Sequence, residues 1–181
     1  MNSQQVIIVN ENDESLGVME KMQAHEQGVL HRAFSIFIFD SEGRMLLQQR
    51  AGKKYHGAWL WTNACCSHPM PGETVEDAAV RRLKEELGIE IPISRIFSFL
   101  YREPVENNLI EHEYDHVFAG EYGGELQPDA AEVADYKYED MEMIKSSIEK
   151  EPGKFTSWFK IAFPKIENWW QQQYFFKNKI V

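Results

Sequence analysis

Apolar positions along the chain predict four strand regions. Val6–Val9 is a short apolar run closed by the polar segment Asn10–Glu14, as expected of an edge strand. Ala33–Phe39 is apolar and aromatic, stops at Asp40-Ser41-Glu42-Gly43 and resumes at Met45–Leu47, which is the pattern of a β-hairpin. Ile96–Tyr101 and Tyr114–Tyr122 predict further strands. Thr74–Leu87 has the helical period instead. Val75, Ala79, Leu83 and Leu87 recur on one face, Thr74 and Asp77 resemble a capping box with Asp in place of Glu or Gln, and Gly88 stands just past the end. Acidic Glu139–Glu151 and aromatic Ile161–Phe176, the latter interrupted by Pro164, predict two more helices. Strands and helices that do not alternate as βαβ units predict an α/β (α+β) sandwich of mixed sheets with flanking helices. Without repeats or a Pro/Gly/Ser-rich linker, residues 1–181 are expected to form one domain.

Composition narrows the class. A hydrophobic content of 43% with 13% aromatics excludes a disordered or fibrous chain. A formal charge of −10 argues against a nucleic-acid binder, which needs a basic surface. Cys65 and Cys66 are adjacent, a poor arrangement for a disulfide, so a reducing, cytoplasmic setting with free thiols is expected. The opening MNSQQVIIVNENDE lacks a basic then apolar leader pattern, and no uncharged apolar stretch approaches membrane-spanning length.

Several residues have chemistry to offer. On a strand, Glu111 and Glu113 project to one face and His112 to the other. Two neighbouring carboxylates are unfavourable unless a cation or a shared proton compensates, although a solvated strand face would also explain them. His25, His31 and His68 are possible nitrogen ligands; three imidazoles with two carboxylates suit a divalent transition metal or Mn²⁺. His56 and His116 have no such pattern and read as ordinary surface or structural residues. Cys66 lies among polar and turn-forming neighbours, where a nearby cation would favour a thiolate and apolar burial would oppose it. On the helix, Arg81/Glu85 and Arg82/Glu86 stand four apart. That spacing gives ordinary surface ion pairs, or a carboxylate and arginines that hold a metal-bound diphosphate. No Gly-rich phosphate loop occurs, so phosphate recognition would rest on side chains and a metal.

WTNACCSHPMPGE, the RRLKEELG helix and IEHEYDHVF, in that order, resemble type I isopentenyl-diphosphate isomerases, and the likeness runs from His25 to at least Trp158. The resemblance implies a Nudix-like fold, a small diphosphate substrate and two divalent metals. It assigns His25, His31, His68, Glu111 and Glu113 to a metal centre that would hold Mn²⁺, Mg²⁺ or Zn²⁺. It assigns Glu86 to a Mg²⁺ carried with the diphosphate, and Arg50, Lys54 and Arg82 to the diphosphate itself, with Lys53 the alternative to Lys54. Cys66 corresponds to the catalytic cysteine, Cys65 to a non-catalytic position, Tyr101 to a tyrosine that assists Glu113, and Trp158 to the aromatic wall. The implied chemistry is protonation of C4 by Glu113 and loss of a C2 proton to a Cys66 thiolate, with the Trp158 π face near the cation. A monomer or weak homodimer without nucleic-acid or membrane partners is implied as well. Glu73, Arg81, Glu85, Glu86 and Gly88 also fall in register with the Nudix box, but Ser67 replaces its first Gly and Arg82 one of its acids. A cation in place of that carboxylate weakens the rival reading, a Nudix hydrolase. A second rival, a non-catalytic metal-binding domain of the same fold, would carry no reason to keep acid, base, metal and diphosphate residues together.

Overall fold

A computed structural model describes residues 4–177; the outer parts of the expected 1–181 domain, residues 1–3 and 178–181, lie outside the described residues. The first apolar run forms β1 (Gln5–Val9), which pairs antiparallel with β2 (Ser15–Glu20). β1 is not the edge strand expected of it. β2 takes the edge, and β1 touches β3 (His31–Phe39) through Ile8↔His31. β2 carries no apolar face to read, because its residues are largely exposed, Leu16 and Val18 among them.

β3 is buried along nearly its whole length, as its unbroken apolar run demands. β8 (Leu109–Glu121) lies parallel beside it from His31↔Glu113 to Phe39↔Glu121, and β7 (Ile93–Val105) flanks β8 antiparallel. On the other side of β3 lies the short strand β6 (Cys65–Ser67), antiparallel to it, with Ser35 opposite Cys66. The expected hairpin survives only at its turn. Asp40 Oδ1 accepts from the backbone N–H groups of Glu42 and Arg44, and β3 meets β4 (Met45–Arg50) only at Phe39↔Met45. β4 then departs to pair with β5 (Trp61–Thr62) and β9 (Val133–Glu139). A doubly buried strand advertises its burial but not its partner, so local pattern cannot choose between β4 and β8.

Four helices among the described residues cover these sheets: α1 (Lys21–Gln27), α2 (Val75–Leu87), α3 (Met141–Lys150) and α4 (Ser157–Lys177). None is long and apolar enough to cross a membrane. One core packs Ala79, Leu83 and Leu87 of α2 against Phe34, Ile36 and Phe118; the other packs Trp158, Phe159 and Phe163 of α4 against Phe37 and Val117. This is the expected sandwich of mixed sheets with flanking helices. Two helix boundaries differ from expectation. Glu139 ends β9, and α3 begins only after Asp140. α4 starts earlier than predicted and continues through Pro164, giving up the bond that an N–H there would make one turn back.

α2 is capped as its sequence predicts, with Thr74 Oγ1 accepting from the Asp77 N–H at 3.1 Å. It ends at Gly88, φ 71°, where an added Cβ would come within 2.8 Å of the Gln127 backbone oxygen. Strain and contact act together there. Gly88→Ala should cost about 2 kcal/mol, read as a lower denaturant midpoint at unchanged m-value; an unmoved midpoint would show that Gln127 yields freely.

Candidate metal and proton-transfer site

α1 carries His25 in its last turn and stops at Gly28, whose φ of 63° swings the chain into β3 at His31. This turn brings the two imidazole centroids within 4.8 Å, their planes tilted at 50°. His25 Nδ1 is 2.7 Å from the Lys21 carbonyl oxygen and His31 Nδ1 is 2.8 Å from that of Val29. A carbonyl only accepts, so each Nδ1 carries a proton and each Nε2 faces inward; burial acts downward on His31, but Glu113 outweighs it and raises that ring above its ordinary value. His68, just beyond β6, places Nε2 3.2 Å from His31 Nε2 and 2.9 Å from Glu113 Oε1. Alternation along β8 turns Glu111 and Glu113 into the same buried space, while His112 Nδ1 meets the Gly28 carbonyl oxygen on the opposite face.

These donors fit a divalent metal ion. Ligand atoms of His25, His31, His68 and Glu113 lie within 4.8 Å of one another, and all four residues are buried. His25 Nε2 is buried with no hydrogen-bond partner and stands 3.8 Å from Glu111 Oε1, an orphan lone pair aimed at the cluster. Burial pushes His25 below its ordinary value and His68 down to about 3, so both remain neutral and able to coordinate. At Glu113 burial acts upward, but the contacts from His31 and His68 outweigh it and hold the carboxyl well below its usual range. The Tyr101 hydroxyl, on β7, reaches Glu113 Oε2 at 2.6 Å and Glu111 Oε2 at 2.9 Å, so one phenol spans both carboxylates.

Cys66 and Glu113 come from strands on either side of β3 and line one cavity of about 370 Å³. The Cys66 sulfur donates to Asn63 Oδ1 at 2.9 Å and lies 3.7 Å from Ser35 Oγ. Burial pushes its thiol up to about 12, with Asp115 adding to the rise and Ser35 and Asn63 opposing it. Of the two influences on this thiol that the sequence left open, burial prevails over the polar neighbours and favours the thiol in the protein without substrate. Cys65, its neighbour, packs into the α2 core beside Phe34 and Leu83.

The basic residues line the same cavity. Arg50, Lys54 and Arg82 all line it, as does the more exposed Lys53. Arg82 donates to Glu86 Oε1 at 2.5 Å and to Glu85 Oε2 at 2.8 Å, and Glu86 also accepts from Gln48 Nε2 at 3.2 Å. Both readings of the helix charges thus coexist: Arg82 pairs along the helix and still faces the cavity. Arg81 instead pairs chiefly with Glu73. Arg50 donates to the His56 carbonyl oxygen at 2.9 Å and lies over the Trp158 ring, 5.0 Å from its centroid.

Three further residues belong here that the sequence did not single out. Glu132 pairs with both Lys54 and Arg82, and Lys21 lines the cavity with its ammonium lowered to about 8 by burial. His56, read as an ordinary residue, is buried with Nε2 2.7 Å from Glu111 Oε1 and its ring edge-on to Trp158. No local pattern reports these, because each contact joins elements distant in the chain. His116 remains outside the cavity, beside Asp13.

Comparison with known proteins gives one consistent answer. The NUDIX domain model matches residues 29–159. The chain is 45% identical over 169 residues to isopentenyl-diphosphate Delta-isomerase 2 of Photorhabdus laumondii, covering 91% of this chain and 96% of that protein. It is 47% identical over 162 residues to isopentenyl-diphosphate Delta-isomerase 1 of Aromatoleum aromaticum, covering 90% and 92%. Among solved structures, DR0079 from Deinococcus radiodurans superposes with a TM-score of 0.69 at 19% identity, over 82% of this chain and 90% of that one, a likeness of fold alone.

Proposed function

The chain belongs to the isopentenyl-diphosphate Delta-isomerase family, within the NUDIX fold, and on that premise we propose that it interconverts isopentenyl and dimethylallyl diphosphate by moving protons at two ends of one allylic unit. The observation that carries this reading is Cys66 and Glu113 lining one buried cavity from strands that flank β3. A carbon–carbon double bond is a weak base, so its protonation needs an acid fixed at the reacting carbon and shielded from water. In the forward direction Glu113 gives a proton to C4, the double-bond electrons form the new C–H bond, and C3 becomes cationic. Cys66 then removes a C2 proton, and that C–H pair becomes the new double bond. The reverse direction uses a Cys66 thiol and a Glu113 carboxylate, which is the pairing that the electrostatics of the protein favour without substrate. Between forward turnovers a proton must pass from Cys66 back to Glu113.

Tyr101 holds Glu113 in place through its 2.6 Å hydrogen bond, and the Trp158 ring offers a π face to positive charge. Arg50, Lys54 and Arg82 bind the diphosphate and thereby orient the hydrocarbon end. His25, His31, His68, Glu111 and Glu113 would hold Mn²⁺, Mg²⁺ or Zn²⁺, and Glu86 a Mg²⁺ bound with the diphosphate. When bound, these ions supply positive charge, one polarising Glu113 and the other neutralising phosphate oxygens. The same reading treats residues 1–181 as one isomerase domain, monomeric or weakly dimeric, working in the cytoplasm without nucleic-acid or membrane partners.

Nuclear magnetic resonance of isopentenyl diphosphate in D₂O tests this reading. With protein, Mg²⁺ and Mn²⁺, deuterium should appear in newly formed dimethylallyl diphosphate; protein stripped by a chelator should lose that conversion and regain it on adding metal. Release of inorganic phosphate with an unmoved double bond would favour a hydrolase instead.

A further inference from the structure

The carboxylate row of β8 does not stop at the metal cluster. Glu111, Glu113 and Asp115 alternate onto one face, and Asp115 is 1% exposed. Its Oδ2 accepts from Ser35 Oγ at 2.8 Å, and its Oδ1 is buried with no partner. Ser35 is the β3 residue opposite Cys66, with Oγ 3.7 Å from the sulfur. Nothing in the proton transfer described above uses either residue.

The surroundings of the sulfur give them work. Asn63 Nδ2 donates to the carbonyl oxygens of Ile36 and Cys65, at 3.0 and 2.9 Å, which fixes Oδ1 as the atom facing Cys66. Oδ1 accepts from an S–H but repels a sulfur that has lost its proton. Among the described residues, Ser35 is the side chain placed to donate to that sulfur. Its single hydroxyl hydrogen is shared between two acceptors, Asp115 Oδ2 and Cys66 Sγ.

We propose that Ser35 is a positioning residue for the isomerase reaction, its hydroxyl steered by Asp115 so that the Cys66 sulfur has a donor whenever it lacks a proton. With Cys66 as a thiol, the S–H points to Asn63 and the Ser35 hydroxyl to Asp115. Once the sulfur is charged, the hydroxyl turns to it and gives up its bond to Asp115 Oδ2, because its one hydrogen cannot serve both acceptors. Ser35 transfers no proton itself. It prolongs a charged sulfur that burial would otherwise disfavour.

This inference rests on Cys66 being the thiol of the proposed reaction, and steady-state kinetics on the full-length, metal-loaded protein separate the two ideas. Ser35→Ala should lower kcat about 10- to 100-fold, the loss of one hydrogen bond to a charged group, with KM, metal content and thermal midpoint little changed. Asp115→Asn should lower kcat as well, and the double variant should be no slower than Ser35→Ala, because Asp115 acts through Ser35. Ser35→Thr should recover most of kcat while Ser35→Val, the same shape without the hydroxyl, should not. A kcat within threefold of the parent in Ser35→Ala, additive losses in the double variant, or equal activities for the Thr and Val forms would each overturn the proposal. If Cys66→Ala turns over normally, the thiol reading itself fails; if Cys66→Ala is inactive and Ser35→Ala is not, only the role given to Ser35 fails.

Discussion

Cys66→Ala should lower kcat for isopentenyl diphosphate by about 10³-fold, while Cys65→Ala should retain most activity. The two thiols are neighbours in sequence but alternate across β6, so one lines the cavity and the other enters the α2 core. On the proposed roles, removing the Cys66 sulfur would take away the group that exchanges a proton at C2 and leave Arg50, Lys54 and Arg82 in place for the diphosphate. The loss should therefore fall on kcat with KM nearly constant. Cys65→Ala deletes one buried sulfur, a packing change of about 1 kcal/mol that shows in the melting temperature rather than in turnover. Full activity in Cys66→Ala together with an inactive Cys65→Ala would shift the reactive thiol by one residue and invert the reading of β6.

Glu113→Gln should be the more damaging change, lowering kcat by about 10⁴-fold and loosening the metal. Glutamine keeps the shape and can still accept from Tyr101, so the fold is preserved. It cannot carry the C4 proton, and it brings no negative charge to His31 and His68, which lie 3.6 and 2.9 Å from Glu113 Oε1. Both consequences are measurable on one sample: metal content by elemental analysis, and deuterium entry at C4 by nuclear magnetic resonance. Retained C4 exchange in Glu113→Gln would assign the acid elsewhere, with Glu111, on the same face and sharing the Tyr101 hydroxyl, the next residue to examine.

The parts of this fold that can be read from sequence are those whose cause is local. Thr74, the four-residue recurrence from Val75 to Leu87, and Gly88 lie within one helix and its caps, and α2 follows them closely. β3 and β8 announce themselves because their burial demands apolar residues. β2 and β6 do not, the first being exposed and the second only Cys65–Ser67. The partner of β3 was illegible for a different reason: the pairing His31↔Glu113 depends on residues far apart in the chain. The site divides in the same way. Period-two alternation places Glu111 and Glu113 together, and the same period reaches Asp115. His56 and Glu132 are recognisable only after folding, since the acid and the bases beside them arrive from other elements.

The parallel pairing of β3 with β8 also bears on how the protein assembles. Antiparallel neighbours can close through a short turn, but this pair is joined across residues 40–108, so its contacts are expected to form later than local ones. In the proposed metal site His25 and His31 come from one side of that seam and Glu113 from the other, so a partly folded chain would lack a complete ligand set. Metal loading would thereby sense finished topology. An ion on the proposed ligands would favour the completed fold over its precursors by mass action and would fasten β3 to β8.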